Sequence, residues 1–141
     1  MARQRRRLKP ARVPTAVVLD AGALSAGAQG DPRVRAELAL AEQLGAGVHV
    51  SSVTLAEVLR GHHRDARVHA LLAAVEHHPV NAHLGRAAGE LLGRTGRDDT
   101  IDAIVAVTAE DLAVPTRLLT GDADDLRRLT TGMAAVTVVP V

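Results

Sequence analysis

Thr15-Ala-Val-Val-Leu-Asp20 is a short, apolar, β-branched run that stops on an acid. Such a run reads as a buried strand with a carboxylate at its C-terminal end. Gly47-Val-His-Val-Ser51 has the same form, as do Arg117-Leu-Leu-Thr120 and the stretch from Val136 to Val139 that Pro140 closes. A short strand around Val80 completes the series.

The segments between these runs carry helical signals. Asp31-Pro32 opens a helix whose apolar positions are Val34, Leu38, Ala41 and Leu44, and Gly45 and Gly47 stop it. A helix from Val53 to Arg60 ends at Gly61. Val68, Leu71, Leu72 and Val75 mark another that stops before Pro79, with His77 and His78 at its end. Leu84, Ala87, Ala88, Leu91 and Leu92 form an amphipathic face closed near Gly93 and Gly96. Ile101, Ile104, Val105, Thr108 and Leu112 follow the spacing of a helix core face, and Asp124 to Leu129 forms a last short helix. Strands separated by helices predict an α/β domain with a mainly parallel central sheet.

The chain of 141 residues fits one domain. With no Phe, Tyr, Trp or Cys, the core is aliphatic. Base stacking, aromatic cages, disulfides, thiol catalysis and thiolate metal sites are excluded. The missing cysteines fit a reducing compartment, and no apolar run reaches the roughly 18 residues of a membrane span. We expect a cytoplasmic protein without membrane association. The net charge of +1 hides an asymmetry. Six of the 17 basic residues lie in the first 12 positions, which leaves 11 against 16 acids in the rest. Residues 1–14 are therefore expected to form a basic, disordered tail, and residues 15–141 an acidic domain.

In open parallel sheets, ligands bind beyond the carboxyl ends of the strands. Asp20 follows the first strand, Glu57 lies in the helix after the second, Asp102 begins the Ile101 helix, and Asp122 follows Thr120. Each has a structural alternative: Asp20 as a helix cap, Glu57 as the partner of Thr54 in a capping box, Asp102 as a dipole-complementing acid, and Asp122 as a turn residue. Together, however, they crowd like charges on one edge. Carboxylates so placed raise one another's pKa unless a cation compensates. An oxygen-only set favours Mg²⁺ or Mn²⁺, and the chemistry suited to it is phosphodiester hydrolysis by a metal-activated water.

Four stretches carry a family resemblance: Val17-Val-Leu-Asp-Ala-Gly-Ala23, Ser51-Ser-Val-Thr-Leu-Ala-Glu-Val-Leu-Arg-Gly61, Asp99-Thr-Ile-Asp-Ala-Ile-Val-Ala106 and Leu118-Leu-Thr-Gly-Asp122. In this order they resemble the motifs of PIN-domain ribonucleases, in particular the VapC-type toxins of bacterial toxin–antitoxin systems. The resemblance implies a three-layer α/β/α PIN-like domain over residues 15–141 and a Mg²⁺- or Mn²⁺-dependent endoribonuclease. It assigns Asp20, Glu57, Asp102 and Asp122 as catalytic and metal-binding acids, with Asp99 as an additional acid and Thr120 at the site's edge. It also implies an RNA substrate, a cognate antitoxin protein and a homodimer. One departure stands out: Ala21-Gly22 occupies positions near the first acid where the family often has Thr or Ser.

Without aromatic residues, RNA contacts fall to metal, main chain and arginine. Arg60, Arg94, Arg97 and the tail are the candidate phosphate partners, with a solvated charge as the alternative for each. The paired histidines His62-His63 and His77-His78 read as structural, and His49, His69 and His83 as isolated. A haloacid-dehalogenase-like phosphatase would need an acid where Gly22 stands, and a receiver domain would need a lysine at a later strand end, whereas Lys9 is the only one. The remaining alternative is a non-catalytic PIN-like module that binds RNA or protein.

Overall fold

The opening apolar run forms β1 (Ala16–Leu19), which pairs in parallel with β2 (Gly47–Ser51) on one side and β4 (Thr116–Thr120) on the other. Beyond β2 lies β3 (Glu76–His78), and beyond β4 lies β5 (Val136–Pro140), so the all-parallel sheet has the order β3-β2-β1-β4-β5. The structure is a computed structural model in which residues 15–141 are described. The basic stretch over residues 1–14 lies outside the described residues.

Parallel sheets bury both faces, and β1 is buried along its whole length. Successive side chains point to opposite faces. Val17 and Leu19, with Val50 and Leu119, pack under α1 (Ala21–Ala28), α2 (Pro32–Leu44) and α4 (Ala66–Leu72). Val18 and Leu118 face the opposite layer of α5 (Ala82–Thr95), α6 (Thr100–Asp111) and α7 (Ala123–Leu129). The result is a three-layer α/β/α domain, with α3 (Ser52–Val58) between α1 and α6.

Local chemistry fixes most boundaries. The Asp31 carboxylate accepts the N–H groups of Arg33 and Val34 ahead of Pro32, and Gly45 ends α2 with a left-handed φ of 66°. Asn81 caps α5 in the same way, and Gly96 ends it. No helix of the described residues is long and apolar enough to cross a membrane.

The structure corrects four readings. The strand expected around Val80 is Glu76–His78, so His77 and His78 belong to an edge strand and α4 ends at Leu72. Parallel pairing with β2 wins over local helical spacing there. The third helix ends at Val58 instead of Arg60, because the Asp65 carboxylate takes the N–H groups of Arg60 and Gly61, each at 2.8 Å. Ile101 is exposed, and α6 instead buries Ala103 and the run from Val105 to Ala109. A helix wedged between α5 and the sheet buries small residues on a wide face. Finally, Thr54 does not begin a capping box: Ser51 is the cap, accepting from the Val53 N–H, and Glu57 lies in the last turn of α3.

Candidate active site

With every strand parallel, the C-terminal ends of β1, β2 and β4 share one edge, and the helices that follow them begin there. Asp20 leaves β1 as the cap of α1, its Oδ1 accepting the Ala23 N–H at 2.8 Å. The structural role of Asp20 as a cap and its place on the acid edge therefore coexist. The side chain is buried, and burial raises its pKa above the ordinary carboxylate range, with Asp122 adding to the rise. Hydrogen bonds from the Thr120 hydroxyl and the main-chain N–H groups of Ala23 and Gly121 oppose it. Thr120 is fully buried, and its hydroxyl also accepts the Asp122 N–H at 2.8 Å.

Asp102 stands in the first turn of α6. Burial, and then the charges of Asp122, Asp99, Asp20 and Asp125, push its pKa up to about 6. Glu57 is raised by burial and by Asp20. Asp20, Glu57, Asp102 and Asp122 thus act on one another through space. None of them has an ion-pair partner among the described residues.

Their neighbours do. Arg97 places one guanidinium nitrogen 2.8 Å from Asp99 and 2.6 Å from Asp125. Asp125, in the first turn of α7, reaches this edge from 28 positions beyond Arg97, a contact that no local pattern in the sequence marks. Asp99, Asp102 and Asp125 each offer an oxygen within 4.8 Å of the others. The Arg97 head is engaged by Asp99 and Asp125 and its Nε is buried without a partner, so Arg97 is built into the site wall. Arg60 is exposed at the end of α3 and donates to the carbonyls of Ala56 and Leu59.

Gly22 accounts for the departure near Asp20. A Cβ there would lie 3.2 Å from the Cα and N of Gly121, so the bare glycine lets the β4–α7 turn, which carries Asp122, close against α1. A glycine in the first turn of a helix was the signal available in the sequence.

The donor set fits a hard divalent ion. It consists of carboxylate oxygens at a common edge: Asp99, Asp102 and Asp125 come within 4.8 Å of one another, Asp20, Glu57 and Asp122 stand beside them without a protein cation among the described residues, and burial and repulsion raise the pKa of Asp20, Glu57 and Asp102. A groove of about 510 Å³ between α1, α2 and α4, lined by Arg35, Leu38, Arg67 and Leu71, contains none of these acids.

The family model of the PIN domain matches residues 17–131. The chain belongs to the PIN-domain family. No curated protein matches this PIN domain at the sequence level. Solved structures match its fold. VapBC2 from Rickettsia felis, bound to a DNA fragment from its promoter, superposes with a TM-score of 0.69 at 16% identity, over 89% of this chain and 98% of that one. VapBC-1 from nontypeable Haemophilus influenzae gives 0.64 at 19% identity, over 89% and 97%. VapBC-5 from Mycobacterium tuberculosis, a member of the VapBC family of toxin–antitoxin systems, gives 0.57 at 27% identity, over 91% and 100%.

A second cluster escaped the sequence reading. His49 on β2 and His78 on β3, 29 positions apart, place Nδ1 and Nε2 2.9 Å from each other, with Glu76 Oε2 3.4 Å from His49 Nδ1. Only strand pairing brings them together, so no local pattern announces them.

Proposed function

We propose that this PIN domain is a divalent-metal-dependent endoribonuclease, the toxin component of a type II toxin–antitoxin module acting in the cytoplasm. The observation that carries the proposal is the division of the acid edge: Arg97 neutralises Asp99 and Asp125, while Asp20, Glu57, Asp102 and Asp122 repel one another without a protein cation. Asp20, Asp102, Glu57 and Asp122 would hold Mg²⁺ or Mn²⁺, with Asp99 alongside. Once bound, the ion acidifies water and draws charge from the scissile phosphate.

The chain's own groups do the rest. The Thr120 hydroxyl and the Ala23 and Gly121 N–H groups orient the Asp20 carboxylate. Glu57, whose pKa burial and Asp20 raise, is the carboxylate we assign to take a proton from the attacking water. The water oxygen forms the new P–O bond, one ester P–O bond breaks, and the leaving oxygen takes up a proton. Without aromatic side chains, RNA is held through its phosphates, by Arg60 and by the basic residues of the N-terminal stretch. The reading includes a cognate antitoxin and a homodimer.

The test is cleavage of cellular RNA by purified protein with Mg²⁺, with Mn²⁺ and with chelator. We expect metal-dependent cuts that Asp20→Asn removes. Cleavage that persists in chelator, or in Asp20→Asn, would sink the metal-nuclease reading. RNA binding without turnover would instead identify a binding module.

A further inference from the structure

We propose that His49, Glu76 and His78 form a metal site of the Zn²⁺ class, separate from the acid edge, that clips the edge strand β3 to β2. In the parallel register His49 sits opposite Glu76 and Ser51 opposite His78. Residues two apart on a strand share a face, so Glu76 and His78 project on the side of His49. One ligand atom from each lies within 4.8 Å of the others. A tetrahedral Zn²⁺ with ligand bonds of about 2.0–2.1 Å sets its donors about 3.3–3.4 Å apart. The Glu76–His49 separation of 3.4 Å already has that value, and the 2.9 Å between the two imidazole nitrogens needs only to open slightly.

Gly47 contributes to the placement. A Cβ at Gly47 would lie 2.9 Å from His49 Nε2, so the absent side chain is what lets the ring lie back along β2 and turn Nδ1 toward His78 and Glu76. The His49 side chain is largely buried and Glu76 is exposed, so the cluster has a firm inner ligand and an outer one open to entering ions. Two imidazoles and one carboxylate suit Zn²⁺ better than Mg²⁺, and leave a fourth position for water. β3 has three residues and one neighbour. A bound ion would hold it in register by side chains as well as by the ladder.

The test uses the untagged full chain, stripped with chelator, in an Asp20→Asn/Asp102→Asn background that disables the acid edge. We expect one equivalent of Zn²⁺ by calorimetry, a Zn²⁺-dependent rise in melting temperature, and the intense visible absorption of tetrahedral Co²⁺ when Co²⁺ replaces it. His78→Gln and Glu76→Gln should each weaken Zn²⁺ binding by at least about tenfold, the loss that even an outer-shell partner's removal produces. Glu76→Gln is exposed and leaves the fold intact, so it serves even where a histidine variant fails to fold. Zn²⁺ affinity unchanged by both substitutions, or only the weak spectrum of octahedral Co²⁺, would overturn the site.

Discussion

Asp99 and Asp102 stand three residues apart at the start of α6, yet the protein treats them in opposite ways. Asp99 shares an arginine with Asp125. Asp102 faces Asp122, Asp99, Asp20 and Asp125 with no cation of its own among the described residues, and its pKa rises to about 6. Asp65 shows how the fold satisfies an acid it uses structurally: the N–H groups of Arg60 and Gly61 hold it, and they lower its pKa. The chain can therefore quiet a carboxylate with main chain or with arginine. Where it leaves one unquieted, the charge is available to something else.

The largest effect should come from abolishing the difference on the uncompensated side. Asp102→Asn is expected to lower metal-dependent RNA cleavage by about a hundred- to a thousandfold, the scale of losing one preorganised electrostatic partner. In chelator the same variant should melt a few degrees above wild type, since repulsion is removed. A destabilised Asp102→Asn would mean that the acid serves the helix.

The next effect is on pH dependence. A folded pKa of about 6 against 3.8 means that the folded state holds the extra proton in that window, so Asp102 costs stability progressively as pH rises from about 4 to 6. His49, whose basicity burial depresses, works in the opposite direction, so the comparison must be wild type against Asp102→Asn. Their melting temperatures should coincide near pH 4 and separate by pH 7. Mg²⁺ affinity should fall roughly tenfold per pH unit below 6, where one proton competes for the ligand.

Breaking the compensated side should do less to chemistry and more to stability. Arg97→Met leaves Asp99 unpaired and Asp125 with only the more exposed Arg128, 3.7 Å away, and a few degrees of melting temperature should be lost in chelator. Mg²⁺ should restore more stability to this variant than it adds to wild type, because the ion then neutralises the charge that Arg97 no longer covers on Asp99 and Asp125. An equal Mg²⁺ response in both would show that the pair lies outside the ion's reach. The smallest effect belongs to Gly22→Ala. Its Cβ would press on Gly121, which sits in an exposed turn and can yield by a few tenths of an ångström. We expect a severalfold loss of cleavage rate as Asp122 shifts, with a nearly unchanged melting temperature.

The parts of this comparison differ in how well the sequence announces them. Asp20 at the end of β1, the Asp31 cap, the Gly45 stop and Asp102 at the start of α6 are local signals, each set by a few adjacent residues. The Arg97–Asp125 pair and the His49–His78 contact join positions 28 and 29 apart, and only the packed sheet and helices define them. β3 fails the local reading for the same reason, since its three residues become a strand by pairing with β2. Thr54 and Glu57 match a capping motif in spacing, but Ser51 starts the helix earlier and takes the role. Ile101 has the right period and the wrong face, because α6 is covered on more than one side.

The central position of β1 has a consequence for synthesis. Its partners are β2, which follows shortly, and β4, where Leu19 meets Leu119, a hundred positions further along the chain. Parallel pairing needs a crossover, and long-range pairing forms slowly. A nascent chain therefore carries Asp20 for most of translation beside an unpaired strand edge. Only when residues 116–122 leave the ribosome do Thr120 and Asp122 arrive to complete the acid edge. The order of the sheet thus sets the order of assembly: Asp20, Glu57 and Asp102 are made before Thr120 and Asp122 can join them.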